Sequence, residues 1–140
     1  MIVDIEIINN SSYRKLPKKK VAQAIKNVFR YGKKGKTTAV SIIYVNDDAI
    51  MKINKKYLKH NRATDVITFS LGENDSNILG EIYISAETAI RQASEYNVSI
   101  SNEIMRLAIH GALHLAGYND DTEKKRLQMH ELENKYLGMI

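Results

Sequence analysis

The sequence contains no cysteine and no tryptophan, and its only proline is Pro17. Without cysteine the chain cannot form disulfides, and a zinc site would have to use histidine and carboxylate ligands. No apolar run approaches the roughly 20 residues that a membrane-spanning helix requires, and the start does not read as a signal peptide. These absences argue against a disulfide-stabilised secreted scaffold and against a membrane protein. We therefore expect a cytoplasmic protein.

The composition is typical of one soluble globular domain. Hydrophobic residues make up 44% of the 140 residues and charged residues 26%. A chain of this length can bury one core but is too short for two ordinary domains. No repeat, low-complexity tract or linker divides the sequence. We expect a single domain that covers residues 1–140.

Positive and negative charges are unevenly distributed along the chain. Residues 1–62 contain 15 lysines and arginines against four acidic residues, a net charge of +11, whereas residues 63–140 contain six against 12, a net charge of −6. This asymmetry indicates that one surface faces a polyanion. The basic residues of segments 14–36 and 52–62 are candidates for binding the phosphates of such a polyanion. Three tyrosines of this half are candidates for stacking on unpaired bases: Tyr13, Tyr31 and Tyr57.

Hydrophobic periodicity and turn residues predict the secondary structure. Strands are expected over 2–8, 37–45, 65–70 and 79–85, the last two joined by a hairpin loop over 71–78. Helices are expected over about 17–32, 47–59, 85–96, 101–116 and 122–137. The order β-α-β-α-β-β-α-α-α predicts an α+β domain with one mixed four-stranded sheet and about five helices.

The stretch His110-Gly-Ala-Leu-His114-Leu-Ala-Gly117-Tyr-Asn-Asp120 predicts a metal site on the fourth, central helix. Two histidines four residues apart lie on the same helix face and can bind one ion together. Gly117 can end the helix, after which Asp120 is placed to supply a third ligand. Three protein ligands and one open position are the arrangement of catalytic zinc. The apolar flanks favour ligation, because unpaired buried histidines are costly.

Two alternatives remain open for this stretch. If the turn is shifted by one residue, Asn119 or Asp121 would supply the third ligand instead of Asp120. The same spacing occurs in metallopeptidases, where a glutamate after the first histidine is the general base. Gly111 occupies that position here and cannot accept a proton. A metallopeptidase without the usual base is therefore a minor alternative.

Three stretches of the chain match the motifs of one known family. The motif His-Gly-x-Leu-His-Leu-x-Gly-Tyr-Asp-His is matched by His110, Gly111, Leu113, His114, Leu115, Gly117 and Tyr118. The motifs Asn-x-x-Tyr-Arg and Thr-Asp-Val-Leu-Ser-Phe are matched by Asn54, Tyr57, Thr64, Asp65, Val66 and Phe69. A third, Leu-Gly-Asp-Ile with a following Ser, is matched by Leu79, Gly80, Ile82 and Ser85. On these residues the chain resembles the YbeY-type endoribonucleases, which are ribosomal RNA maturation factors.

The resemblance implies a metal-dependent, single-strand-specific endoribonuclease that matures the 3′ end of small-subunit ribosomal RNA and takes part in ribosome quality control, and we expect one zinc ion as its cofactor. Its partners would be single-stranded ribosomal RNA and the small ribosomal subunit or its assembly factors, with no membrane and no DNA involved. Either metal-bound water or the RNA 2′-OH would attack the phosphodiester. The rival hypothesis is a zinc-containing RNA- or ribosome-binding assembly factor with little catalytic turnover.

Two positions depart from the family pattern. The family has histidine as its third ligand, where this chain has Asp120, which adds negative charge and widens tolerance toward metals other than zinc. Leu58 stands where the family carries an arginine that is taken to contact the substrate phosphate. Arg62 or Lys59 must then supply that cation. We assign the catalytic role to Arg62 and substrate binding to Lys56, Lys59 and Arg62.

Four other ionisable residues are not expected in the site. His60 lies in the basic loop and is expected to be solvated. His130 is expected to lie away from the histidine pair. Glu131 and Glu133 are expected to be surface charges of the last helix, or partners of the basic residues at 124–126.

Overall fold

The computed structural model of the chain describes residues 3–31, 37–58, 64–73 and 77–140. Its elements, in chain order, are β1 (Val3–Asn9), α1 (Lys18–Tyr31), β2 (Thr37–Val45), α2 (Asp47–Leu58), β3 (Val66–Glu73), β4 (Asn77–Ser85), α3 (Ala86–Glu95), α4 (Ile100–Leu115) and α5 (Glu123–Leu137). The predicted order of elements and the α+β class are confirmed. No helix among the described residues is both long enough and apolar enough to cross a membrane.

The four strands form one mixed sheet in the order β1-β2-β4-β3. β2 pairs in parallel with both β1 and β4, while β3 pairs with β4 in the antiparallel direction. β3 is therefore an edge strand, with Val66 opposite Ile84 where β3 begins. The predicted mixed four-stranded sheet is confirmed.

The two faces of the sheet carry different layers. Because successive strand residues point to opposite faces, Ile42 and Tyr44 enter the main core, while Ile43 packs with Ile50 of α2 on the other face. Buried residues of α1, α3, α4 and α5 complete the main core. The fold therefore places α2 on the opposite side of the sheet from α4.

The hairpin between β3 and β4 differs from its prediction. The expected loop over 71–78 is wrong at both ends, since β3 continues to Glu73 and β4 begins at Asn77. The register shifts between Ser70 and Gly72, a β-bulge that lets the strand continue. The residues there are polar or exposed because β3 is an edge strand, so their composition resembles that of a loop.

The central helix α4 begins and ends with well-formed caps. The Ser99 hydroxyl accepts a hydrogen bond from the backbone N–H of Asn102. At the other end Gly117 adopts φ 100°, a left-handed conformation that favours glycine. Its N–H donates to the carbonyl of His114, and the N–H of Tyr118 donates to that of Leu113. This Schellman arrangement confirms the predicted role of Gly117 and turns the chain back toward the helix.

Candidate metal centre

Three side chains meet where α4 ends. The Nε2 atoms of His110 and His114 are 3.1 Å apart, and Oδ2 of Asp120 lies 3.5 Å from the first and 3.4 Å from the second. A tetrahedral ion with bonds of about 2.0–2.1 Å separates its ligands by about 3.3 Å. The triangle of donor atoms therefore has the size that one zinc-like ion requires.

The triangle is open on one side. A cavity of about 310 Å³ is lined by the three side chains and by the start of β3, from Asp65 to Thr68. We call this cavity the metal cleft. Two imidazoles and one carboxylate are a donor set that suits zinc and other divalent transition metals. The three side chains would hold such an ion at the wall of a cleft that a substrate can enter.

The turn after α4 selects Asp120 from its neighbours. The Asp121 carboxylate is 70% exposed and lies 3.3 Å from the ammonium of Lys125. Asn119 is exposed as well. Among these three residues, the described structure brings only Asp120 into the triangle with the histidines.

Glu133 supports the centre from behind. Its Oε2 lies 2.7 Å from Nδ1 of His110, and its Oε1 accepts a hydrogen bond of 3.1 Å from Arg106. A carboxylate at Nδ1 fixes the imidazole so that Nε2 is free for a metal. The expectation that Glu133 is a surface charge is wrong, because the residue is buried. Its spacing from Met129 and Tyr136, which are buried on the same face of α5, is the signal that could have revealed it.

The two imidazoles have opposite pKa shifts. Burial lowers the pKa of His110, but the hydrogen bond and the charge of Glu133 outweigh it and raise the pKa above its usual value. Burial and the neighbouring His110 lower the pKa of His114. His114 is therefore held in the neutral form that a metal ligand needs, whereas a proton competes with a metal at His110.

Gly111 faces the sheet rather than the cleft. A Cβ atom added there would lie 2.6 Å from Cγ2 of Ile82 and 3.2 Å from Cγ2 of Thr68. α4 therefore lies so close to the sheet that only glycine fits at this position. A general base could not occupy position 111 in this packing, which argues further against the metallopeptidase hypothesis.

The basic residues assigned to substrate lie apart from the centre or outside the described residues. Lys56 is exposed on α2, where its ammonium lies 5.1 Å from the ring centroid of Tyr57. It is not among the residues that line the metal cleft. Lys59, Arg62 and His60 fall outside the described residues. The assignments of Lys56, Lys59 and Arg62 stay predictions.

The remaining predicted contacts have mixed outcomes. Tyr13 is half-buried against the main core, whereas Tyr31 and Tyr57 are exposed. His130 is exposed, and its Nδ1 lies 4.0 Å from the Glu133 carboxylate.

Sequence reasoning missed Arg126, which donates a hydrogen bond of 3.4 Å to the backbone carbonyl of Asp120. Arg126 thus brings a cation next to the third metal-ligand candidate.

Comparisons with known proteins identify the family. Residues 6–140 match the family model described as Endoribonuclease YbeY. The chain is 38% identical over 134 residues to the endoribonuclease YbeY of Chloroherpeton thalassium, across 96% of this chain and 94% of the relative. It is 36% identical over 125 residues to that of Bacteroides thetaiotaomicron, across 89% of each.

A solved structure agrees with this result. The solution structure of TM1509 from Thermotoga maritima matches the fold with a TM-score of 0.67 and 32% sequence identity, over 95% of this chain and 86% of that one. The agreement of fold, sequence and histidine motif leads to one conclusion. The chain belongs to the YbeY endoribonuclease family.

Proposed function

We propose that the chain is a metal-dependent, single-strand-specific endoribonuclease of ribosomal RNA maturation, formed by one domain over residues 1–140. The observation that carries this proposal is the triangle of His110, His114 and Asp120, with its open side on the metal cleft. The relatives that match over most of the chain are named endoribonucleases, which supports RNA as the substrate.

Each residue of the metal centre would have its own role in binding the ion. His110, His114 and Asp120 would hold the ion, and Glu133 keeps a proton on Nδ1 of His110 so that its Nε2 stays free. When bound, the ion would act as a Lewis acid that polarises a phosphodiester oxygen and activates the attacking hydroxyl group or water. The start of β3 forms a wall of the metal cleft, and we propose that the RNA strand lies along this wall.

Zinc is the proposed ion. Two histidines and a carboxylate with one open position are a donor set of catalytic zinc sites. The carboxylate of Asp120 is a harder ligand than histidine, so manganese or another divalent ion can also be accepted.

Cations from the basic half of the chain complete the proposal. Phosphodiester cleavage places extra negative charge on the phosphate, which a nearby cation stabilises. We propose that Arg62, three residues before Asp65 in the sequence, supplies this cation, and that Lys56 and Lys59 bind the RNA backbone. RNA binding would then weaken steeply as salt is added.

The cellular setting rests on family membership. We propose single-stranded ribosomal RNA, near the 3′ end of the small-subunit RNA, as the substrate. The small ribosomal subunit or its assembly factors would present it, in the cytoplasm. A role in ribosome quality control would use the same cleavage activity.

One observation favours the rival function. Among the described residues that line the metal cleft there is neither a lysine nor an arginine. A zinc-containing assembly factor that binds RNA or the ribosome would not need a cation there. This second candidate has the same metal centre but little catalytic turnover.

Single-turnover cleavage of a single-stranded RNA separates the two candidates. Metal-loaded wild type is compared with His114→Ala, which loses a metal ligand, and with Asp121→Asn, which removes a neighbouring carboxylate outside the triangle. We expect wild type and Asp121→Asn to cleave, and His114→Ala to lose the activity. Equal cleavage by all three proteins would assign the activity to another site or a contaminant. RNA binding without cleavage by any of them would favour the assembly factor.

A further inference from the structure

A second cavity lies directly behind the metal centre. It has a volume of about 470 Å³ and is lined by residues of α3, α4 and α5, by the segment between α3 and α4, and by the residue that precedes β3. His110 and Asp65 line both this cavity and the metal cleft, so the two are neighbours. We call it the rear cavity. Its volume falls within the range of about 300–1,000 Å³ that is typical of ligand sites.

One residue that lines the rear cavity has a buried polar atom without a partner. Glu103 of α4 is only 2% exposed, and its Oε1 has no hydrogen-bond partner among the described residues. Buried polar atoms are nearly always hydrogen-bonded, and an unpaired one costs about 1–3 kcal/mol. A donor on a molecule in the cavity would meet this oxygen if the Glu103 side chain turned toward the cavity.

The charges of the rear cavity exclude a phosphate. Three carboxyl groups line it, those of Asp65, Glu103 and Glu133. The arginine in its wall, Arg106, already donates to Glu133 and to the side chain of Asn134. The other basic groups of the wall, His110 and His130, also lie against Glu133, so a phosphate would find no cation that is free of a carboxylate. A neutral group with N–H donors would not meet this competition.

The rest of the wall suits a flat ring. The ring of Tyr96, just after α3, is 59% exposed at the rim, and the apolar side chains of Val98 and Leu107 form part of the wall. Unpaired RNA bases are bound in this way by proteins, stacked on an aromatic ring and hydrogen-bonded along an edge.

We propose that the rear cavity is a nucleobase subsite, which takes one unpaired base of the RNA next to the phosphodiester held at the metal cleft. This inference rests on the proposed endoribonuclease function. The base lies against Tyr96 and donates an N–H to the Glu103 carboxyl group, whose side chain turns toward the cavity when the base binds. Guanine is the expected base when Glu103 is ionised, because its Watson–Crick edge carries two adjacent N–H donor groups that a carboxylate can accept together.

Cleavage of an RNA library tests the subsite. Zinc-loaded protein cleaves a single-stranded RNA with randomised positions, and the products are sequenced. We expect guanine to be enriched at one position next to the cleaved bond. Glu103→Gln and Tyr96→Ala should each reduce that enrichment by about 3- to 10-fold. Such a loss corresponds to one hydrogen bond in Glu103→Gln and to part of the stacking of one base in Tyr96→Ala. Leu127→Ala, which removes an exposed apolar side chain of α5 that lines neither cavity, is the matched control.

Binding of free nucleosides gives a readout that needs no cleavage. We expect guanosine to shift the backbone amide resonances of residues 92–107 in wild type and less so in Tyr96→Ala. Inorganic phosphate, used as the comparison probe, should leave these resonances unchanged. If Glu103→Gln does not fold, Tyr96→Ala and the nucleoside titration decide.

The outcomes separate this inference from the proposed function. Cleavage that depends on His114 but shows the same base preference in wild type, Glu103→Gln and Tyr96→Ala would overturn the subsite and leave the function intact. Shifts caused by phosphate and not by guanosine would overturn it as well. Enrichment of another base that both variants abolish would keep the subsite and overturn only the choice of guanine. Guanosine binding without any cleavage would support the subsite while the proposed nuclease fails.

Discussion

The Glu133 carboxylate lies 2.7 Å from Nδ1 of His110, on the opposite side of the imidazole from the nitrogen that faces Asp120. The same carboxylate accepts a hydrogen bond from Arg106, which holds Glu133 in position. Glu133 is therefore a positioning residue, which acts on the metal centre through His110.

Replacement of Glu133 tests this role. Glu133→Gln and Glu133→Ala should weaken zinc binding by about 10- to 100-fold, because His110 loses the partner that orients it. The measurement is a competition titration with a chelator, made well above neutral pH so that protonation of His110 does not interfere.

Glu131→Gln is the matched control for this change. Glu131 lies on the same helix and is exposed, so its replacement should leave the affinity unchanged. Equal affinities of wild type and Glu133→Ala would contradict the assignment of Glu133.

Gly111 provides a test of the close packing between α4 and the sheet. Alanine usually stabilises a helix by about 1 kcal/mol relative to glycine. At Gly111, however, a Cβ would lie 2.6 Å from Cγ2 of Ile82. We expect Gly111→Ala to lower the free energy of unfolding by about 1–3 kcal/mol, measured by urea denaturation.

Gly138 offers the control for that measurement. A Cβ there would lie 3.4 Å from its nearest neighbour, an ordinary contact, and φ is −69°. Gly138→Ala should change stability by no more than about 0.5 kcal/mol. A Gly111→Ala variant as stable as Gly138→Ala would mean that α4 does not lie as close to β4 as described.

Much of the fold and the centre of the site could be predicted from sequence because each depends on local patterns. Alternating apolar residues predict β1, and helical spacing places His110 and His114 on one face. Gly117 marks the end of α4 because few other residues adopt its left-handed conformation easily.

What could not be predicted depends on contacts between distant segments. Glu133 reaches His110 across 23 residues of sequence because α5 packs on α4, and the charge of a glutamate suggests solvent instead. The rear cavity is enclosed by three helices, so no single stretch of sequence reveals it. The overlong predicted hairpin loop has a different, local origin, since the polar residues of an edge strand resemble a loop.

The buried Glu103 carboxyl predicts a pH dependence of stability. Burial raises its pKa from 4.5 to about 7, although the nearby Arg106 lowers it in part. In the unfolded chain Glu103 loses its proton near pH 4.5, while in the folded chain it keeps the proton up to about pH 7. Its stabilising contribution is thus present at low pH and is lost as the pH rises through this window.

Glu103→Gln should flatten this dependence. Between about pH 4.5 and pH 7, the free energy of unfolding of wild type should fall by up to about 3 kcal/mol more than that of the variant. Urea denaturation of both proteins without metal gives this difference, in which the contributions of the other titrating groups cancel. Parallel pH profiles would contradict a raised pKa of Glu103.

Two arginines compete as the cation that stabilises the phosphate. We expect Arg62→Ala to slow single-turnover cleavage by about 10- to 100-fold while the zinc content stays the same, because charge stabilisation of the transition state is lost. Arg126→Ala, which removes the arginine next to Asp120, is tested beside it. A large loss in Arg126→Ala together with an unchanged Arg62→Ala would assign the cation to α5.

The most direct test of the central claim is cleavage measured as a function of bound metal. Zinc is added stepwise to metal-free protein, and single-turnover cleavage of a single-stranded RNA is recorded beside the zinc content of wild type and Asp120→Ala. We predict that wild-type cleavage rises in proportion to bound zinc and stops rising at about one ion per chain, while Asp120→Ala binds zinc weakly and does not cleave under these conditions. Cleavage that is independent of bound metal, or equal in the two proteins, would contradict the account.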